Sequence, residues 1–350
     1  MISLPGKGMN FDTGFLSAGT STREPFDPEI VRREMRIIRE DLHCTAVRIT
    51  GGDPDRLEIA AQHAADAGLA IWFCPFTNGL TQDRLLELLA DCAERAERLR
   101  QRGAKVVLLT GSELSLFTAG FLPGATLEER LALVSDPLRV RPLMGEVRTR
   151  VNAVLRRAVE VVRARFGGPV SYASLPLEGV DWSPFDIIAS DAVYRSAATA
   201  ANFRDLIRAY VAHGRAQGKP VAVTEFGCMT YRGAADVASD IHTMVEWGDD
   251  GQPARLKEAY VRDEAEQATY LRELLDVFDT EGVDAAFVYT FARYDLPHRA
   301  DPQTDLDRVS RGIVKVLDPQ GGAGAPRDRR YPDMPWEPKA AFDALAECYA

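Results

Sequence analysis

The chain has 350 residues, of which 46% are hydrophobic and 27% are charged, and this composition is typical of a packed globular protein rather than a disordered one. Acidic residues outnumber basic ones by 52 to 42, giving a formal net charge of -10. This charge argues against nucleic acid or an anionic membrane surface as a partner, because both require a basic face. No secretory signal or stretch of transmembrane length is visible. The five cysteines are scattered, without Cys-x-x-Cys spacing, and fit a cytoplasmic protein.

Short apolar runs alternate with longer segments of helical periodicity along nearly the whole chain, which is typical of repeated βα units. Eight strands are predicted, in chain order Gly8–Phe11, Ala46–Ile49, Ala70–Phe73, Val106–Leu109, Val170–Ala173, Asp186–Ala189, Val221–Val223 and Ala285–Tyr289. Helices are predicted to begin after Asp27, Asp53 and Thr81, where a capping side chain or a first-turn proline marks the start. Further helices are predicted at Arg148–Phe166, Phe203–Gln217, Arg262–Glu281 and Pro338–Tyr349.

Eight strands in alternation with outer helices predict a single (β/α)8 barrel over residues 1–350. No Gly-x-Gly-x-x-Gly follows the first strand, as a doubly wound dinucleotide fold would require. The segment Leu175–Pro184 is short for a crossover between parallel strands, so we expect only a turn of helix or a plain loop there. Long inserts near residues 116–143, 230–257 and 292–329 are expected above the C-terminal face, where they would shape a pocket.

Two of these strands deliver a glutamate to the C-terminal end of the barrel. The run Val221 to Gly227 ends an apolar strand with Glu225, and the run that begins at Val106 ends in the same way with Glu113. Such a charge is costly to bury without a partner or a purpose, and two facing carboxyl groups are what the cleavage of a glycosidic bond requires. Two strand-end glutamates that merely face water or pair with arginine are the alternative interpretation.

Gly-Ser-Glu after the fourth strand and Thr-Glu-Phe-Gly after the seventh resemble clan A, the 4/7 superfamily of retaining glycoside hydrolases. The resemblance implies that Glu113 is the acid/base and Glu225 the nucleophile, acting on a small glycoside or oligosaccharide. It also implies that Arg48 keeps Glu225 ionised with a low pKa, and that Tyr194 donates a hydrogen bond to it. Ser112 stands where these enzymes have the asparagine that binds the 2-hydroxyl of the sugar.

Strand eight lacks the tryptophan on which these enzymes stack the sugar, and Tyr289, Phe291 or Tyr294 could replace it. Trp72 lies inside the third strand and is assigned to the core. No His-x-His or His-x-x-x-His spacing indicates a metal site, so the sequence predicts neither a metal nor another cofactor.

Five further residues near strand ends are candidates for contacts with substrate. Asp12 and Asp191 could bind sugar hydroxyls, although an aspartate in such a position also caps helices. Glu178 is the rival for one of the two catalytic roles. Trp182 is open to a core or a platform role, and His298 is placed in a loop that could line the pocket.

The chain also resembles uncharacterised actinobacterial proteins labelled abortive infection proteins. The alternative hypothesis is therefore a glycosidase-like barrel that does not hydrolyse its ligand and serves in carbohydrate binding or phage defence. Changing Glu225 to glutamine separates the two hypotheses, because only the hydrolase needs that carboxylate for its function.

Overall fold

The computed structural model describes residues 2–17, 19–237, 241–248, 251–318, 320 and 328–350. Eight parallel strands form its central sheet. In chain order they are β1 Gly6–Asp12, β2 Ala46–Gly51, β3 Ala70–Pro75, β4 Val106–Ser112, β5 Val170–Ala173, β6 Ile188–Ser190, β7 Val221–Phe226 and β8 Ala285–Val288. The eight predicted strands are confirmed. The largest differences in starting residue are two residues, since β1 begins two residues earlier than predicted and β6 two residues later.

The sheet closes on itself. Its hydrogen-bonded order is β5-β4-β3-β2-β1-β8-β7-β6, so β5 and β6 are the two strands that must meet for closure. They meet through a parallel bridge between Ser174 and Ser190, and the N–H of Asp186 donates to the carbonyl of Val170 at 2.9 Å. The predicted (β/α)8 barrel is therefore confirmed.

Among the described residues, seven helices of ten or more residues surround the strands. They are α1 Pro28–Glu40, α2 Pro54–Asp66, α3 Gln82–Gln101, α4 Met144–Arg163, α5 Phe203–Ala216, α6 Glu264–Glu281 and α7 Ala340–Tyr349. The predicted starts are confirmed at Asp27, Asp53 and Thr81, whose side chains accept hydrogen bonds from first-turn N–H groups. Within the described ranges, no helix is both long enough and apolar enough to cross a membrane.

The connection between β5 and β6 holds only a single 3-10 turn, Pro176–Glu178, as predicted from its length. The ring of outer helices is consequently incomplete at this position. The gap is an outer groove of about 620 Å³, whose apolar lining includes Trp182, Phe203, Leu206, Ile207 and Tyr210.

The long inserts follow β4, β7 and β8. The first contains the helices Leu114–Phe117, Leu127–Val134 and Pro137–Val140 and the 3-10 turn Arg141–Leu143. The second contains the 3-10 turn Ala234–Asp236, the helix Ile241–Met244 and the hairpin of Val245–Trp247 with Pro253–Leu256. The third contains the 3-10 turn Leu306–Val309 and the hairpin of Val314–Val316 with Trp336–Pro338, and its residues 319 and 321–327 lie outside the described residues.

The barrel interior is filled by two large rings among small side chains. Trp72 and Phe287 lie with ring centroids 4.8 Å apart, which confirms Trp72 as core. The alanines packed around them come from five strands: Ala46, Ala173, Ala189, Ala222 and Ala285. Gly8 is required beside them, because a Cβ atom at this position would lie 2.4 Å from the ring of Phe287.

Candidate active site

Glu113 follows the last residue of β4 in an unusual backbone conformation. The pairing of β4 with β5 shifts in register between Leu109 and Ser112, and Gly111 within this irregularity has a φ of +120°. Glu113 itself has a φ of +49°, in the left-handed region that costs a non-glycine residue about 1–2 kcal/mol. A strained residue persists only where the surrounding structure holds it in place, and such residues are frequent at functional sites.

Glu225 is the penultimate residue of β7. Its carboxylate accepts a hydrogen bond from the hydroxyl of Tyr194, which is the partner that the resemblance implied. Its carbonyl accepts one from the N–H of Val193 at 3.0 Å, and this bond fixes the loop that carries the tyrosine. Gly227 allows the strand end to approach β8, since a Cβ there would lie 2.3 Å from the carbonyl oxygen of Tyr289.

The two glutamates share one cavity, with Asp191 beside them. One carboxylate oxygen from each of Glu113, Asp191 and Glu225 lies within 4.8 Å of the other two. Glu113 and Glu225 both line a cavity of about 420 Å³ at the C-terminal end of the barrel, which we call the site cavity. The two strand-end glutamates therefore face the same space and can act on the same bound molecule.

Arg48 lies beneath the two glutamates and is paired mainly with Asp191. Its two terminal nitrogens each lie 3.0 Å from one oxygen of Asp191, whereas the nearest oxygen of Glu225 is 3.9 Å away. Ser112 donates to Asp191 and accepts a hydrogen bond from Arg48 at 3.0 Å. The predicted sugar contacts of Ser112 and Asp191 are thus wrong, because both side chains are buried and engaged in this network.

The cluster of Glu113, Asp191 and Glu225 could also hold a metal ion. Here the guanidinium of Arg48 already provides the positive charge, because it binds both oxygens of Asp191. Of the three carboxylates, the two glutamates are left as those that line the cavity.

The expected low pKa of Glu225 is also wrong. Burial and the charge of Asp191 raise the pKa of Glu225 to about 7, and they outweigh the lowering effects of Arg48, Tyr194 and Arg311. Burial, followed by the charges of Asp191 and Glu225, raises the pKa of Glu113 well above its ordinary value. In the described part of the chain, no group donates a hydrogen bond to the Glu113 carboxyl, so Glu225 is the glutamate that ionises more readily.

The side of the cavity next to Glu225 is polar. We call it the polar wall, and it consists of Asp12, Tyr194, Tyr289, Arg293 and Arg311. The guanidinium of Arg311 lies 4.5 Å above the ring of Tyr194, and Arg293 donates to Asp295 at 2.8 Å. Sequence reasoning missed both arginines, although their place in the loop after β8 was a usable signal, since such loops form the C-terminal face.

Away from the polar wall the lining of the cavity is mostly apolar, with Thr22, Thr50, Ser135 and His242 as polar exceptions. We call the apolar part of this lining the apolar wall, and it consists of Phe15, Phe76, Leu116, Phe117, Leu127, Leu131 and Val134. Its three phenylalanines contact one another, with ring centroids 4.8 to 5.5 Å apart. Sequence analysis missed this wall as well, and the available signal was a phenylalanine shortly after each of β1, β3 and β4.

Glu178 is not a rival for a catalytic role. Its fully buried carboxylate accepts hydrogen bonds from the N–H groups of Ser115 at 2.9 Å and Leu175 at 3.0 Å. It also accepts from the hydroxyls of Tyr172 at 2.8 Å and Ser174 at 3.1 Å. With four donors and no position on the site cavity, it ties the end of β5 to the insert after β4.

Four other predicted contacts lie away from the site cavity. Trp182 lines the outer groove, with its ring centroid 5.5 Å from that of Phe185. Phe291 is buried in the core against Trp336, with ring centroids 5.3 Å apart.

Tyr294 and His298 bind acidic residues instead of lining the cavity. The hydroxyl of Tyr294 donates to Glu34 at 2.8 Å, and Nδ1 of His298 lies 2.8 Å from Asp305. Each loop turns its side chain towards an acidic partner, which the sequence alone did not reveal.

No protein-family model and no curated protein matches the sequence. The fold is shared with solved (β/α)8 glycoside hydrolases.

One is a GH113 β-1,4-mannanase, with 16% identity, 98% coverage of each chain and a TM-score of 0.57. A second is the GH113 β-mannanase from Alicyclobacillus acidocaldarius in complex with ManMIm, with 16% identity, 98% and 96% coverage of this and that chain, and a TM-score of 0.58. A third is the β-glucuronidase from Parabacteroides merdae, with 12% identity, 100% of this chain and 39% of that chain covered, and a TM-score of 0.52. At these identities the comparison shows a common barrel.

Proposed function

We propose that this protein is a retaining glycoside hydrolase in which Glu225 is the nucleophile and Glu113 the acid/base. The observation that carries the proposal is the approach of one oxygen of each carboxylate to within 4.8 Å of the other in a shared cavity. Retaining glycosidases hold their carboxyl groups about 5–5.5 Å apart, whereas inverting enzymes need roughly 6.5–9.5 Å to admit a water molecule. The short separation favours direct attack by a carboxylate.

The roles follow from the surroundings of each glutamate. Arg48, Tyr194 and Arg311 favour the ionised form of Glu225, whereas burial and two neighbouring acids favour the protonated form of Glu113. Glu225 attacks the anomeric carbon while the proton of Glu113 passes to the departing oxygen, and a covalent glycosyl-enzyme forms. Glu113, now ionised, takes a proton from water, whose oxygen attacks the same carbon and releases Glu225.

The polar wall is the proposed binding surface for the sugar ring. Asp12 and Tyr289 line the cavity with a carboxylate and a phenol that can bind hydroxyl groups. Asp12 is held by the hydroxyl of Thr22 and by the N–H of Gly14 at 2.9 Å. Its orientation is therefore fixed before a substrate binds.

The test uses alanine variants of the two glutamates and a panel of nitrophenyl glycosides. E225A is expected to lower kcat/KM by at least about a thousandfold, because no attacking carboxylate remains. Azide should restore turnover of E225A and yield the glycosyl azide of inverted configuration. E113A with azide should instead yield the azide of retained configuration, since azide then attacks the glycosyl-enzyme.

The matched control is E246A, which removes a half-exposed glutamate in the insert after β7 that is paired with Arg255. This variant should keep the turnover of the wild type. If the wild type hydrolyses no glycoside of the panel, or if E225A keeps full activity, the proposal is wrong. Ligand binding that survives in E225A without any hydrolysis in the wild type would support the carbohydrate-binding alternative.

A further inference from the structure

The site cavity is divided by the order of the strands. Phe15, Phe76 and Phe117 follow β1, β3 and β4, whereas Tyr194, Tyr289, Arg293 and Arg311 follow β6 and β8. β1 to β4 are contiguous in the barrel, as are β6 to β8, so each set comes from one arc of strands. The two arcs adjoin where β1 pairs with β8, and Asp12 of the polar wall lies at this junction, at the end of β1. Glu113 belongs to the apolar side and Glu225 to the polar side.

The acid/base marks the side on which the leaving group sits. It gives its proton to the departing oxygen, so the groups around it face the part of the substrate that leaves. In this chain the helix that begins directly after Glu113 carries Leu116 and Phe117, and the next helix of the same insert carries Leu131 and Val134. All four line the site cavity, so the leaving group meets mainly aliphatic and aromatic carbon. Ser135 also lines the cavity from this insert, but its hydroxyl donates to the carbonyl of Leu131 at 2.9 Å.

A second sugar would bind poorly on this surface. Its hydroxyls would exchange water for side chains that offer no hydrogen bond, and each unpaired hydroxyl carries a desolvation cost. The three phenylalanines do not form a flat platform for sugar stacking either. Their rings meet at interplanar angles of 50°, 82° and 87°, so they form a tilted, edge-to-face cluster.

Resting on the proposed hydrolase function, we propose that the substrate is a glycoside with an apolar leaving group, such as a long alkyl, aryl or terpenoid alcohol, rather than an oligosaccharide. The polar wall then binds the single sugar ring, and the apolar wall binds the hydrocarbon. Burial of the hydrocarbon supplies binding energy in proportion to its apolar area.

The experiment measures kcat/KM for one sugar joined to methanol, butanol, hexanol and octanol, and for the same sugar joined to a second sugar. The sugar is the one that the nitrophenyl panel identifies. Each added methylene is expected to raise kcat/KM about fourfold until the wall is covered. The octyl glycoside should exceed both the methyl glycoside and the disaccharide by at least about a hundredfold.

Two aspartate variants assign the effect to the apolar wall. In L131D the increase per methylene should nearly vanish, because the introduced carboxylate keeps water at the wall, and L131A should give an intermediate slope. The control L206D places the same charge in the outer groove, on a side chain that is 50% exposed. It should keep the wild-type slope.

The outcomes separate this inference from the proposed function. If glycosides are hydrolysed with azide-rescuable dependence on Glu225, but kcat/KM is independent of chain length or highest for the disaccharide, the apolar leaving group is wrong and the hydrolase stands. The same conclusion follows if L206D flattens the slope and L131D does not. If no glycoside of either series is hydrolysed, both proposals are overturned together.

Discussion

At the scale of single residues, the centre of the site is a cluster of four charged side chains. Glu113, Asp191 and Glu225 contribute three carboxylates and Arg48 contributes one cation. Asp191 is the largest charge effect that raises the pKa of both glutamates. The aspartate therefore adds to burial in raising the pKa values of the two glutamates, and it does so without lining the site cavity.

Replacing Asp191 with asparagine should move the pH profile of kcat/KM to lower pH. In the proposed mechanism the acidic limb reports ionisation of Glu225 and the alkaline limb deprotonation of Glu113. Removing the neighbouring negative charge lowers both pKa values, and leaves Arg48 free to act on Glu225. We expect both limbs to shift by about one pH unit, measured with a nitrophenyl glycoside between pH 4 and 9.

The control D205N neutralises an exposed aspartate on α5, where it pairs with Arg208. Its pH profile should match that of the wild type. An alkaline shift of either limb in D191N, or no shift at all, would show that Asp191 does not raise these pKa values. Circular dichroism verifies that D191N is folded, because Arg48 loses a buried carboxylate partner in this variant.

The sequence predicted Glu113 and Glu225 because a charge at the end of an apolar strand is a local signal. It predicted that Arg48 matters, but paired it with the wrong carboxylate. Whether Arg48 pairs with Asp191 or with Glu225 depends on the position of β6 relative to β2 across the barrel. A local sequence pattern cannot predict that distance. Arg311 lies far along an irregular loop and was missed for the same reason.

At the scale of elements, Glu178 holds together two segments of the barrel at the position where an outer helix is absent from the connection between β5 and β6. The connection between β5 and β6 has only one 3-10 turn, yet it must hold the end of β5 against the insert after β4. Glu178 does so through Ser115 and Leu175. Because Ser115 lies two residues after Glu113, this contact also supports the backbone of Glu113.

Replacing Glu178 with alanine should destabilise the protein by roughly 3 kcal/mol or more. The change leaves two buried N–H groups and the hydroxyl of Tyr172 without their acceptor, and each such loss costs about 1–3 kcal/mol, whereas the hydroxyl of Ser174 can still donate to the carbonyl of Leu175 at 2.9 Å. Chemical denaturation measures the loss in the free energy of unfolding.

The isosteric variant E178Q retains part of the hydrogen bonding and should lose less stability. Azide should not restore the activity that E178A loses, which separates a positioning residue from a nucleophile. Recovery of E178A turnover by azide would instead assign Glu178 a direct chemical role.

The elements themselves were largely predictable. Strand and helix starts depend on local patterns, so the caps at Asp27 and Asp53 and the short β5–β6 connection were anticipated. The content of the inserts was not, because the apolar wall forms only when loops after β1, β3 and β4 converge. The side chains of Trp182 and His298 were misplaced because a loop position does not fix which way a side chain points.

At the scale of the whole molecule, the ionised form of Glu225 lowers the free energy of unfolding. The pKa of Glu225 is about 7 in the folded protein, above its ordinary value near 4.5. The folded state therefore binds a proton more tightly than the unfolded state, and stability falls as pH rises from about 4.5 to 7. Above pH 7 the full penalty remains.

The variant E225Q should consequently be more stable than the wild type at pH 8, by up to roughly 3 kcal/mol, with a rise of a few degrees in Tm. The difference should shrink towards zero below about pH 4.5. Thermal unfolding at pH 4, 6 and 8 measures it. E246Q, which changes a half-exposed glutamate, should show no such pH-dependent gain, and a lower Tm of E225Q at pH 8 would contradict the expectation.

The short link between β5 and β6 has a further consequence for closure of the barrel. These strands lie at the two ends of the hydrogen-bonded order. The junction that closes the barrel is therefore spanned by the shortest connection between consecutive strands. A short covalent tether loses little chain entropy when its ends are brought together. The junction between β5 and β6 therefore depends on this covalent connection, because the backbone hydrogen bonds between the two strands are few. The connecting segment itself holds the two edges of the sheet together.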